Sequence, residues 1–125
     1  MYEEIINKLN TILIELGKNN TTDAELMCTD VINFLDKTEI IQNGIQRNVE
    51  LRAFTMLTMG KVQEDQHKHS QAIEYYNTAH DCYEILIDKE GMAKAKGNIG
   101  VIYKDLGDLE KALKYQLESL KYSKR

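Results

Sequence analysis

Residues 98–120 read NIGVIYKDLGDLEKALKYQLESL, and their reading decides the fold. The stretch holds the end of one helix, a stop at Gly107 where a left-handed C-terminal cap belongs, and a second helix capped by Asp108. The earlier helix is expected over Met92–Leu106 and the later one to about Tyr122. On the later helix Leu109, Ala112, Gln116 and Ser119 form a stripe expected to face its predecessor. Leu113, Leu117 and Leu120 form a separate stripe at i, i+4, i+7.

Sliding this region back by 40 positions sets residues 90–125 on residues 50–85. Glu90 then falls on Glu50, Ala93 on Ala53, Gly100 on Gly60, Asp105 on Asp65, Ala112 on Ala72 and Tyr115 on Tyr75. Apolar positions stay in step, with Ile99 on Met59, Ile102 on Val62 and Leu113 on Ile73. A fixed period of helix–turn–helix units is the signature of a stacked repeat architecture. Antiparallel helices approach closely only where side chains are small, so Gly60 is expected to face Ala72, and Gly100 to face Ala112. Ala79 and Ser119 are expected to keep the second helix thin where a neighbouring repeat lies. Tyr75, Tyr76, Tyr103 and Tyr115 are expected to fill the space around these small residues.

The same logic extends over the whole chain. Ile5, Ile6, Leu9, Ile12, Leu13 and Leu16 predict a first helix over 2–17, ended by Gly17. Thr22-Asp23-Ala24-Glu25 reads as a capping box for a second helix reaching about Lys37, with Glu25 folding back on its start. A third is expected from Ile45 to Gln66 after the Asn43-Gly44 turn, and a fourth from His69 to Ile87. Asp88-Lys89-Glu90-Gly91 reads as the next turn. The expectation is one all-α domain over 1–125, a stack of about six antiparallel helices. Residues 1–40 are a degenerate helical hairpin or an N-terminal cap, 45–87 are repeat one, and 92–122 are repeat two.

The pattern of Ile99-Gly100, Tyr103, Gly107, Ala112 and Ser119 resembles the tetratricopeptide repeat (TPR) family. Residues 53–87 carry it through Met59-Gly60, Ala72, Tyr76 and Ala79, with Gln63 and His67 standing where that family usually has Tyr and Gly. The 40-residue period resembles the family's extended-helix variety, which implies a helical-hairpin scaffold that binds a helical or extended peptide.

Stacked hairpins curve, and the first helix of each repeat lines the concave face. The residues expected there are Phe54, Leu57, Thr58 and Lys61 from the third helix, and Lys94, Gly97, Asn98, Val101 and Asp105 from the fifth. Asn98 is the leading candidate, because one amide both donates to and accepts from a peptide backbone. The resemblance implies the same role for an asparagine at this position; the competing reading is a solvated polar side chain. Lys94 and Lys61 suit an acidic side chain or a terminal carboxylate. The full lysine–asparagine clamp that some family members use for C-terminal carboxylates is not present. The leucines Leu113, Leu117 and Leu120 imply a covering partner, and self-association through the last helix is expected.

Composition narrows the other function classes. The chain has 125 residues, no Pro and no Trp, 42% hydrophobic and 29% charged residues, and a net charge of −4. It is too apolar for a disordered chain, and an acidic balance disfavours non-specific binding to nucleic acid or an anionic membrane. Residues 94–125 hold eight of the 16 Lys/Arg and four of the 20 Asp/Glu, which suits the C-terminal dipole of a last helix. Cys28 and Cys82 lie inside expected helices without Cys-x-x-Cys spacing, which suits a reducing compartment and a cytoplasmic location. The acidic start MYEEIINKLNTILIELG lacks a signal peptide's basic region, and no apolar run is long enough to span a membrane.

No catalytic, cofactor or metal constellation is expected. His80 and Cys82 point about 200° apart on a helix, and His67, His69 and His80 read as ordinary surface histidines. No glycine-rich phosphate loop is present, since Gly97 and Gly100 lie within a helix. Two alternatives to a binding scaffold remain: a regulatory segment of a larger sensor kinase or cyclase, and a helical-bundle phosphotransfer domain using an exposed His80 beside Asp81.

Overall fold

The computed structural model describes residues 21–37 and 45–123, together with Asn7 and Thr11, which are helical. The described residues form five helices and no strand: α1 (Thr21–Lys37), α2 (Ile45–Asp65), α3 (His69–Ile85), α4 (Lys89–Asp105) and α5 (Leu109–Ser123). The helix expected over 2–17 and the Asn43-Gly44 turn lie outside the described residues, apart from the isolated Asn7 and Thr11. Each helix packs chiefly on its neighbours in sequence, and the pairs α2–α3 and α4–α5 make the closest hairpins.

Three turns set this geometry, and all three are built alike. Lys68 N–H donates to the Gln63 carbonyl, Asp88 to Tyr83 and Asp108 to Tyr103, each at 2.9 Å. The preceding N–H of His67, Ile87 or Gly107 donates to the carbonyl three residues back. This is the double closure of a Schellman cap, which needs a left-handed residue in the middle. His67, Ile87 and Gly107 take φ values of 61°, 55° and 82°. The starts of α4 and α5 are also alike: Asp88 Oδ1 accepts from Gly91 N–H at 3.0 Å, and Asp108 Oδ1 from Lys111 N–H at 3.1 Å, whereas Lys68 before α3 makes no side-chain cap bond. The expected turn at Asp88–Gly91 is therefore corrected. Asp88 is a cap, and α4 begins at Lys89.

Of the three left-handed positions, only Gly107 is free of a steric penalty. Ile87 is β-branched, a true outlier at this φ, and at 78% exposure it recovers nothing by burial. Left-handed backbone costs an L-residue about 1–2 kcal/mol, partly offset by the extra chain entropy glycine loses on folding. Ile87→Gly is expected to raise stability by roughly 0.5–1 kcal/mol, read as a higher urea midpoint; an unchanged or lower midpoint contradicts the strain.

Two apolar clusters hold the stack. Cys28 and Val31 of α1 pack with Leu51, Met59 and Val62 of α2, bordered by Met27, Ile32, Phe54 and Tyr75. Ala72 and Tyr76 of α3 pack with Ile99 and Ile102 of α4, bordered by Leu57, Ile73, Tyr103 and Tyr115. The small residues serve this packing in a way the sequence reading did not anticipate. The atoms nearest to a methyl placed on Gly60 belong to the Tyr76 ring, not to Ala72. Gly100 does lie against Ala112, through its carbonyl, but Gln116 is closer still. Ser119 donates to the Ala93 carbonyl of its own repeat at 2.8 Å. Leu109, expected to face α4, is 67% exposed.

The two departures from the repeat pattern in repeat one have visible compensations. Gln63 is buried and donates to Glu25 of α1 at 3.4 Å, while Gln66 donates to the other carboxylate oxygen at 2.8 Å. Glu25 therefore ties α1 to α2; the Thr22 side of the expected capping box lies outside the described side chains. His67 takes the left-handed position that glycine fills in the second repeat.

Candidate functional site

The geometry of α4 follows from which of its sides are taken. Ile99 and Ile102 are fully buried in the cluster shared with α3. Gly97 and Gly100 lie under Ser119 and Gln116 of α5, and Gln116 Nε2 donates to the Gly97 carbonyl at 3.2 Å. Lys96 is held by Glu118 at 3.4 Å. Away from these contacts runs a stripe at i, i+4, i+7 and i+11: Lys94, Asn98, Val101 and Asp105. Lys94, Val101 and Asp105 are exposed and Asn98 is half-buried. Four of the residues expected at a binding face thus share one helical face.

Asn98 makes no hydrogen bond among the described residues, so both ends of its amide are available to a partner. Lys94 reaches Glu90 one turn earlier at 4.0 Å, an exposed pair of the kind that contributes little to stability and yields readily to a partner carboxylate. Val101, 40% exposed, supplies an apolar spot between the polar ends.

The matching stripe on α2 is only partly open. Phe54 packs against the Cys28 cluster and Leu57 against the Tyr76 cluster. Thr58 is 5% exposed and its hydroxyl donates to the Phe54 carbonyl at 2.8 Å, so it presents nothing to a partner. Lys61 is exposed. Of the four α2 residues expected at the face, Lys61 is the open one.

Of the three histidines expected at the surface, His67 is exposed, while His69 and His80 are not. His80 is 8% exposed, with Nδ1 at 3.5 Å from Asp81 and Nε2 at 3.4 Å from the Tyr122 hydroxyl of α5. A phosphotransfer histidine must expose a ring nitrogen, and His80 turns both to neighbours. His69 is half-buried, its Nδ1 without a hydrogen-bond partner. Among the described residues no three His, Cys, Asp or Glu side chains converge as metal donors. Burial pushes the Cys28 thiol up to about 12, and burial together with Asp88 pushes Tyr83 up to about 12. Neither shift makes a reactive group, since a nucleophilic thiol needs the opposite shift.

The sequence reading missed the aromatic wall behind this face. Tyr103 and Tyr115 stack with ring centroids 5.5 Å apart and planes 15° from parallel, and Lys96 and Lys111 each sit 5.3 Å from one of the two rings. Tyr103 and Tyr115 also fill space beside the α3–α4 cluster, as the sequence leads one to expect. The lysines over their faces add cation–π attraction that stiffens the α4–α5 hairpin.

Comparison with known proteins places the chain. A comparison with curated proteins found no match. Among solved structures the chain is similar to the TPR domain of Arabidopsis FLU, at 22% identity and a TM-score of 0.76, covering 96% of this chain and 94% of that one. That likeness bears on the fold alone. The family model for the tetratricopeptide repeat matches residues 51–125, the two hairpins in which the 40-residue period was found. The chain belongs to the tetratricopeptide repeat family.

Proposed function

We propose that this chain is a protein-binding scaffold that holds an extended peptide segment along the exposed stripe of α4. Family membership supports the coarser statement, a protein–protein interaction scaffold. No described helix is long and apolar enough to cross a membrane. The observation that carries the finer reading is Asn98, a half-buried amide without a partner among the described residues, set between Lys94, Val101 and Asp105 on a helix that packs against α3 and α5. In this reading the Asn98 amide bonds the peptide backbone, Lys94 and Lys61 receive an acidic side chain or carboxylate, and Val101 takes an apolar one. Backbone contacts give affinity with little dependence on sequence, and the flanking side chains give preference.

The test is selection from a displayed random-peptide library, followed by titration of the enriched peptides. Asn98→Ala is expected to weaken binding by about tenfold, the loss of one or two hydrogen bonds at ~1 kcal/mol each. Glu84→Ala, on an exposed position of α3, is expected to leave it unchanged. Peptides that bind both variants equally well would move the site off α4.

A further inference from the structure

We propose that the outer face of α5 is a seam for a second copy of this chain, with the two α5 helices antiparallel. Leu109, Leu113, Leu117 and Leu120 recur at intervals of four, four and three, the spacing of a helix-to-helix seam. Each is more than half exposed. The other sides of α5 are already taken. Ala112 is buried, Gln116 and Ser119 bond to α4, and Tyr122 meets His80 of α3. The seam runs about 17 Å along the helix.

The repeat shows why another helix of this kind fits better than a further hairpin. A shift of 40 residues carries α5 onto α3, whose outer side α4 and α5 already cover. There Ile73 is half-buried and His80 buried, but Asn77, the counterpart of Leu117, stays exposed. A hairpin docked on α5 in the same way would leave Leu117 in water. A helix lying along the seam covers all four leucines.

Charge sets the orientation. Glu110 and Lys121 lie on one flank of the seam, three turns apart, and neither joins an ion pair among the described residues. The charges between them are engaged elsewhere: Lys114 lies 5.9 Å from the Tyr115 ring centroid and Glu118 holds Lys96. An antiparallel pair related by a two-fold axis sets Glu110 of each copy beside Lys121 of the partner subunit, and the contact occurs twice. A parallel pair would hold Glu110 of one copy and Lys121 of the partner subunit three turns apart, with no such contact. Opposed helix dipoles favour the same arrangement.

Sedimentation of the full chain at tens of micromolar tests this. The wild type is expected to run as a dimer, and Leu113→Glu with Leu117→Glu as a monomer of unchanged helical content. Glu110→Lys alone and Lys121→Glu alone are each expected to weaken association on the order of tenfold, because two attractive contacts become repulsive. An equimolar mixture of the two is expected to regain wild-type association, since each repulsion is then reversed. The charge variants alter no apolar contact, so they carry the test even if the leucine variant fails to fold. A monomeric wild type, an open-ended assembly, or a mixture no tighter than its components would overturn the proposal.

Discussion

Tyr76→Ala is expected to lower the unfolding free energy by roughly 3–5 kcal/mol, a large share of the ~5–15 kcal/mol that holds a domain together. Tyr76 is fully buried between the Gly60 turn of α2 and the Ile99 and Ile102 side chains of α4. Among the described residues it is the bulkiest fully buried one, and it meets Gly60 of repeat one as well as Ile99 and Ile102 of repeat two. Its hydroxyl donates to Glu64 Oε1 at 2.7 Å. Tyr76→Phe removes that bond alone and is expected to cost about 1 kcal/mol. The difference between the two variants measures the ring.

The same contact predicts a coupling. A methyl on Gly60 would lie 2.6 Å from two carbons of the Tyr76 ring, which has no free volume to move into. Gly60→Ala is therefore expected to cost about 1–3 kcal/mol despite alanine's better helix propensity. In the Tyr76→Ala background the added methyl enters the cavity, and the penalty should vanish or reverse. Urea unfolding of the four-member cycle checks this, and additive costs would show that Gly60 is present for another reason. Gly100 makes the contrast. Its closest neighbour is the terminal amide nitrogen of the exposed Gln116, so Gly100→Ala should be far cheaper than Gly60→Ala.

The period itself was legible because burial restricts side-chain size wherever two helices cross, and that restriction recurs with each hairpin. What spacing does not encode is which large group lies over which small one. Matching small against small paired Gly60 with Ala72, whereas the packed pair is small against large, Gly60 with Tyr76. The Asp88–Gly91 segment misled for a related reason: a polar stretch with a glycine reads as a turn, but Gly91 is there because the Tyr83 ring lies on it. The recurrence of a capping aspartate at 88 and 108 was the available signal. His80 reads as a surface residue because histidine usually is one, and its contact with Tyr122, 42 residues away, is not visible in local spacing. On α4 the exposed stripe was readable from helical spacing alone. On α2 it was not, because Phe54 packs on a cluster that α1 completes with Cys28 and Val31, and Thr58 is buried with its hydroxyl bonded within its own helix.

Raising the pH from 8 to 11 is expected to unfold the stack progressively, and to do so through buried and half-buried residues. Cys28 is fully buried among Val31, Leu51, Met59 and Val62, and burial, with Glu25 adding repulsion, pushes its thiol up from 9.0 to about 12. In the unfolded chain the same thiol ionises near 9.0. The folded pKa is raised, so the stabilisation is complete below 9.0 and is lost as the pH climbs toward 12, at roughly 1.4 kcal/mol per pH unit. Cys82 is shifted the same way, chiefly by burial, and Tyr76 and Tyr83 add to the slope above 10.0, the ordinary value for tyrosine. Urea midpoints measured under reducing conditions across this range should fall steadily in the wild type. Cys28→Ala with Cys82→Ala should start from a lower stability but fall much less between pH 9 and 10, before the tyrosines enter. If the double variant keeps the full slope, the loss arises elsewhere, and Cys28 is not the group that ties α1 to the repeats at alkaline pH.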